Sequence, residues 1–305
     1  MSEAVHNPFA GSDFETKKLR KENRVKGFML LASLVLIVPI LVIIGYLVYK
    51  ASPVLSWDYI WGDPGPLGKS GGIWLPLIGT FYLVVVSLIL VAPIGILAGV
   101  YLNEYAPNNW FTRAINMAVT SLAGVPSIVH ALFGVGCFVL TFKMGESLIA
   151  AACTIAVMTI PVIVTATREA LASVPQSFRD ACWNMGATKW QTIRTIVLPN
   201  SVSGILTGVI LEISRAAGET APILFTGATA AVAINTSDLG TKLMPYDLDD
   251  RFMALSYHLH VVAEKISGMP EEMKYGTAAV LIGLILVVNS FSISLRLYLR
   301  TRKKW

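Results

Sequence analysis

Three charged residues, Glu212, Arg215 and Glu219, stand inside the otherwise apolar stretch Ser203 to Phe225. On an ideal helix Gly208, Glu212, Arg215 and Glu219 fall within about 60° of one another, because steps of three, four and seven residues return to one face. A guanidinium is always protonated, and its planar fork matches two oxygens of an anion. A carboxylate one turn away can hold that fork when no anion is there, or accept a hydrogen bond from a protonated anion. Facing hydrocarbon, each such group costs about 2.5 to 3.5 kcal/mol. The stripe therefore faces either a water-filled path, the favoured reading, or a neighbouring helix as part of a structural ion pair. Glu212 has no assigned role in either.

A second constellation lies between Arg168 and Asn200, built as a small helical hairpin. Pro175 suits the first turn of a helix. Gly186 can end that helix with positive φ, and Thr188 with Gln191 has the spacing of a capping box for the next one. Leu198-Pro199 is expected to close the second helix. With Lys189 and Trp190 near its turn, such a hairpin suits insertion into a groove on another protein. The alternative is packing on its own bundle.

Other motifs carry less. Gly68-Lys69-Ser70 resembles the end of a phosphate-binding loop, but position 63 is Asp and an apolar span precedes it, so it reads as a turn. His258 and His260 are two residues apart and point to different faces of a helix, which favours a surface helix over a metal site. Asp247, Asp249 and Asp250 lack the glycine and distal glutamate of a calcium loop and read as a solvated turn. Asn235-Thr236-Ser237 matches a glycosylation acceptor only formally. Cys137, Cys153 and Cys182 have no paired spacing, which disfavours disulfides and zinc.

The elements that position these residues are membrane spans. The chain has 305 residues, 54% hydrophobic and 14% charged, with a mean hydropathy of +0.64, more apolar than a soluble core needs. Gly27 to Tyr49, Leu75 to Tyr101, Ala118 to Leu140 and Gly276 to Leu299 each offer roughly 20 mostly apolar residues, enough to cross the hydrocarbon. Ser147 to Thr165 is shorter, and Ser203 to Phe225 carries the charges. Lys17, Lys18, Arg20, Lys21, Arg24 and Lys26 precede the first span, while Arg296, Arg300, Arg302, Lys303 and Lys304 follow the last, so both ends are expected in the cytoplasm. The net charge of +5 is then mostly a topology signal and argues little for nucleic acid.

The expected architecture is an all-α membrane protein of about six transmembrane helices. A basic segment over 1–26 precedes a membrane domain over 27–299 and a basic tail over 300–305. The first apolar run is too long for a cleaved signal and reads as a retained anchor. The hairpin occupies 168–200, and an outer loop runs over 227–275. That loop carries Phe252, Leu255, Leu259, Val262 and Ile266 at helical steps, as a platform for an outer partner or a lid on the bundle. Pro126 is expected to bend the third span and bring Ser127 towards the path. Asn103 and Glu104 read as an interfacial cap.

Asp180-Ala181-Cys182, then Gly186, Ile196, Leu198 and Pro199, are similar in spacing to the EAA loop of ABC importer permeases. In that family the loop is the coupling helix that docks on the ATPase. The usual glutamate is Asp180 here and the second alanine is Cys182, changes that leave the helix polarity intact. Over nearly the whole chain the sequence resembles phosphate permeases of the PstA type, at Gly79-Thr80, Tyr101 to Tyr105, Gly124 to Val129, Gly186-Ala187-Thr188-Lys189-Trp190 and, most strongly, Gly218-Glu219-Thr220-Ala221-Pro222.

The resemblance implies a type I importer fold, a heterodimer with a PstC-like permease, two PstB-like ATPase subunits that hold ATP and Mg, and a PstS-like phosphate-binding protein. Signalling partners of the PhoU and PhoR kind are implied as well. This chain would bind no cofactor and hold no active site; it would pass phosphate through the membrane by alternating access. Arg215, Glu219, Ser127 and Thr220 are assigned to the path and Asp180, Ala181, Gly186, Ala187, Thr188, Lys189 and Trp190 to ATPase coupling. The family commonly has arginine where Thr165 stands; Arg168, one helical turn on, is taken as its replacement. Sulfate or molybdate are rival cargoes, since an intramembrane arginine does not choose among oxyanions. A phosphate-status sensor without transport would leave the charged stripe without a purpose.

Overall fold

The computed structural model describes residues 13–65, 71–232 and 238–302. Gly68-Lys69-Ser70, Asn235-Thr236-Ser237, Lys303 and Lys304 lie outside them. Among the described residues the fold is helical; isolated bridges at Pro64–Gly71 and Ala228–Phe252 are the nearest approach to sheet. The chain divides into two units, 1–50 and 51–305. The first is the long helix α1 (Asp13–Ala51), in which Lys26 and Glu22 pair one turn apart at 2.8 Å.

The second unit begins with α2 (Trp57–Trp61) and α3 (Trp74–Val100), which continues through a π-turn over Tyr101–Tyr105. Next come α4 (Trp110–Ala123), α5 (Ser127–Gly134) with a π-turn over Val135–Thr141, and α6 (Leu148–Ala172). The hairpin is α7 (Gln176–Asn184) and α8 (Lys189–Thr192). A π-turn over Ile193–Val197 carries α8 directly into α9 (Leu198–Gly218). After the short helices α10 (Ala221–Leu224), α11 (Leu239–Leu243) and α12 (Leu255–His260), the last ending in a π-turn over Val261–Lys265, α13 runs over Glu271–Arg302.

Among the described residues five stretches are long and apolar enough to span a membrane: Lys18–Ala51, Trp74–Tyr105, Leu148–Ala172, Lys189–Gly218 and Glu271–Tyr298. The pair α4 and α5 passes the same test only jointly. The expected continuous span from Ala118 to Leu140 is therefore corrected: it breaks at Gly124–Pro126 and turns by 103°. Pro126 is the extended residue before α5, with φ −59° and ψ 142°; proline can begin a helix there but cannot continue α4.

The core centres on α6, whose Leu148, Ala151, Ala152, Ile155 and Ile163 are fully buried. Two of its neighbours, α3 and α9, reach it through glycines. Gly95 and Gly99 of α3 sit on Ile163 and Thr167, where an added Cβ would come within 2.7 and 2.6 Å of side-chain atoms. Gly204 and Gly208 of α9 sit on Ala170 and Ala166. Small residues four apart let backbones meet where lipid offers no hydrophobic drive for helices to associate.

Two other expectations change. Leu198-Pro199 does not end a helix. In the π-turn the Leu198 N–H reaches back to the Ile193 carbonyl, and this wider turn lets the helix pass a proline that has no N–H to give. The part of the loop around α12 packs as a lid, one of its two expected readings: Phe252, Leu255 and Val262 are buried, and α12 lies against α3 and α13. His258, expected on a surface, is 4% exposed, and burial pushes its imidazole down to about 4.

Candidate functional site

The charged stripe is split by the end of α9. Gly208 faces α6 and Glu212 is buried. One Glu212 oxygen, Oε2, finds no partner among the described residues, and the side chain borders a cavity of about 10 Å³ with Ser87 and Thr159. Arg215 points to the outside of the unit and pairs with Glu219, Nε to Oε1 at 3.2 Å, with side chains 46% and 19% exposed. Glu219 is not in the helix, as periodicity suggested. It is the first extended residue after Gly218, with φ −73° and ψ 132°. Its carbonyl accepts from Ser256 Oγ at 3.0 Å, which ties the end of α9 to the lid.

Thr220, half-buried, follows directly and precedes α10. That short helix packs against α5, which opens with half-buried Ser127. Four of the expected path residues thus lie on connected elements, although only Arg215 and Glu219 are joined by a bond. Arg168 stands apart. Along α6, Ile155 shares a cluster with Ala216, while Ala170 shares another with Ile205; at 1.5 Å per residue Arg168 is about 20 Å down the helix from the Arg215 end. Its Nη1 donates to Asn116 Oδ1 at 2.8 Å, and its Nε is buried without a partner among the described residues. With Asn103, Thr165, Glu169 and Ala172 it lines a cavity of about 240 Å³.

The hairpin forms by the local rules written in its sequence. Gly186 has φ +81°. The Thr188 and Gln191 side chains each accept from the other's backbone N–H, at 3.3 and 2.8 Å, completing the capping box. Asp180, Ala181, Gly186, Thr188, Lys189 and Trp190 are exposed and Ala187 is half-buried. Phe178, Trp183 and Met185 extend that face with further exposed apolar surface.

Sequence reasoning missed Arg179. It is buried among exposed neighbours and forms an ion pair with Glu104 at 2.8 Å, both side chains under a tenth exposed. Nη1 reaches both carboxylate oxygens, Nη2 donates to the Leu171 carbonyl at 2.8 Å, and Asn103 Nδ2 donates to Glu104 Oε1 at 2.8 Å. Removing one partner from so buried a pair costs about 3–5 kcal/mol. The partners are 75 residues apart, so nothing local announced them. Glu104, expected as an interfacial cap, anchors the hairpin.

The helical bundle with its exposed hairpin is the fold of type I ABC importer permeases. The inward-facing MetNI methionine ABC transporter matches at a TM-score of 0.56 with 16% identity, over 74% of this chain and 97% of that one. A bacterial ABC transporter that imports the acidic polysaccharide alginate matches at 0.50 with 15% identity, over 90% and 99%. At such identities the likeness concerns the fold alone.

The chain belongs to the family of binding-protein-dependent transport system inner membrane components, whose profile matches residues 92–305. Among its relatives is the phosphate transport system permease protein PstA of Mycobacterium leprae, 32% identical over 93% of this chain and 90% of that protein. PstA of Pasteurella multocida is 39% identical over 59% and 64%. The probable ABC transporter permease protein YqgI of Bacillus subtilis is 30% identical over 80% and 84%.

Proposed function

We propose that this chain is the permease subunit of an ATP-driven importer of inorganic phosphate. The single observation that carries the cargo is the 32% identity, across 93% of the chain, to a permease named for phosphate transport. The Arg215–Glu219 pair supports it chemically: a half-exposed guanidinium held by one carboxylate is a site that an oxyanion can enter and leave.

In this reading Arg215, Glu219, Thr220 and Ser127 form the outer part of the path, and Arg168 marks its cytoplasmic end. The hairpin face with Asp180, Ala181, Gly186, Ala187, Thr188, Lys189 and Trp190 docks on an ATPase subunit. A PstC-like permease completes the membrane dimer, two PstB-like subunits bind ATP and Mg, and a PstS-like protein delivers phosphate from outside. PhoU- and PhoR-like proteins read the state of the complex. Both termini lie in the cytoplasm. Alternating access moves the ion unchanged, with hydrolysis confined to the partners.

Uptake of radiolabelled phosphate into vesicles holding the complete complex tests this, with sulfate and molybdate as competitors. ATP-dependent uptake insensitive to both competitors is the expected result. Preferential uptake of either competitor overturns the cargo assignment.

A further inference from the structure

The π-turn over Tyr101–Tyr105 ends α3, and consecutive residues of it meet both arms of the hairpin. Glu104 holds Arg179 of α7. Tyr105 presents its ring to Lys189, just before Trp190, with Nζ 5.3 Å from the centroid, a cation–π distance. The Arg179 guanidinium is fixed at two carboxylate oxygens and one carbonyl, and Asn103 braces the carboxylate. π-turns recur at functional positions, and this one lies one turn beyond Gly99, where α3 touches Thr167 of α6. Arg179 is buried and Cys182, one turn on, half-buried, while Ser177 and Ala181 on the far side of the helix are exposed, so α7 turns one face outward and the opposite face onto the bundle.

We infer that the Glu104–Arg179 clamp is the strut through which movement of the hairpin is passed into α3. The inference rests on the proposed function for its transport readout. A buried ion pair is a poor source of net stability, since desolvation offsets most of its attraction, but it fixes two elements in one geometry. Arg179 is a positioning residue: it touches neither cargo nor nucleotide, and it sets where the docking face stands relative to the path. Without the clamp the partner can still dock and hydrolyse ATP, but α3 does not follow.

The test uses the complete complex in lipid vesicles, comparing ions taken up with ATP hydrolysed. Glu104→Gln, Arg179→Met and the double variant are each made. Removing both charges leaves no unpaired buried ion, so the double variant should assemble like the unaltered complex. It should nevertheless move about tenfold fewer ions per ATP, within the range by which coupling residues act. An unaltered ratio in the double variant makes the pair merely structural and overturns the inference. Hydrogen–deuterium exchange gives a readout independent of cargo: Glu104→Gln should speed exchange across 176–184, and unchanged exchange there also overturns it. If the unaltered complex takes up a different oxyanion, the phosphate assignment fails, while the ratio is read on that ion and the clamp stands or falls separately.

Discussion

The Arg215 guanidinium reaches across the end of α9 to Glu219, 3.2 Å from Nε to Oε1, and the arginine is the more exposed of the two at 46% against 19%. An ion pair this open contributes little adhesion, on the order of 1 kcal/mol or less. The fork atoms Nη1 and Nη2 form no hydrogen bond among the described residues, so they are available to an anion while Nε remains held.

Arg215→Lys separates the two roles of that arginine. It keeps the positive charge and loses the fork, so phosphate uptake should fall at least about tenfold, as for loss of a bidentate contact. The amount of assembled complex should stay unchanged. Glu219→Gln should slow turnover by removing the anion's competitor, again without loss of assembly. Full uptake by the lysine variant together with poor assembly of the glutamine variant would leave only a structural pair.

Gly186 sets the hairpin turn with φ +81°, an angle proline cannot adopt. Gly186→Pro should insert normally and lose phosphate-stimulated ATP hydrolysis, while Gly186→Ala, strained by about 1 kcal/mol, should keep most of it. Equal stimulation in the proline variant would remove the hairpin from coupling.

His258 predicts an acid-sensitive lid. Its folded value of about 4 lies below the ordinary 6.5, so between those values the opened segment binds more protons than the packed one. Stability from the neutral imidazole is complete above pH 6.5 and drains as the pH falls towards 4, by up to about 3 kcal/mol. Thermal unfolding of the purified complex at pH 7 and pH 5 should show a drop that His258→Leu reduces. An identical drop in both proteins would assign the acid sensitivity elsewhere.

Topology is checked by single cysteines in a chain whose native Cys137, Cys153 and Cys182 are serine. In intact cells a membrane-impermeant thiol reagent should label Asp249→Cys and spare Lys17→Cys and Arg302→Cys. Labelling of Arg302→Cys from outside would make the number of crossings odd.

What the sequence disclosed was mostly short-range. The glycine turn and capping box of the hairpin are set by neighbours within four residues, and they form as written. Spans were legible because lipid demands long apolar runs. The failures share a cause: their outcome depends on distant partners. Periodicity carried α9 through Glu219, yet Ser256 of the lid holds that residue in extended form. Pro126 announced a bend but not one of 103°. Arg179 was passed over because its partner Glu104 lies 75 residues away. His258 was placed on a surface helix because its spacing from His260 ruled only on metal binding; its burial depends on packing against α3 and α13.

The glycine seams along α6 bear on movement as well as on packing. Helices that interlock through large side chains must climb over each other's ridges to shift, changing rotamers on the way. Where Gly95 and Gly99 lie over Ile163 and Thr167, and Gly204 and Gly208 over Ala170 and Ala166, there is little ridge to climb. The central helix offers two adjoining smooth bearings: α3, gripped at Glu104 by Arg179, and α9, continuous with the hairpin's second arm, can swivel on it without the core being taken apart.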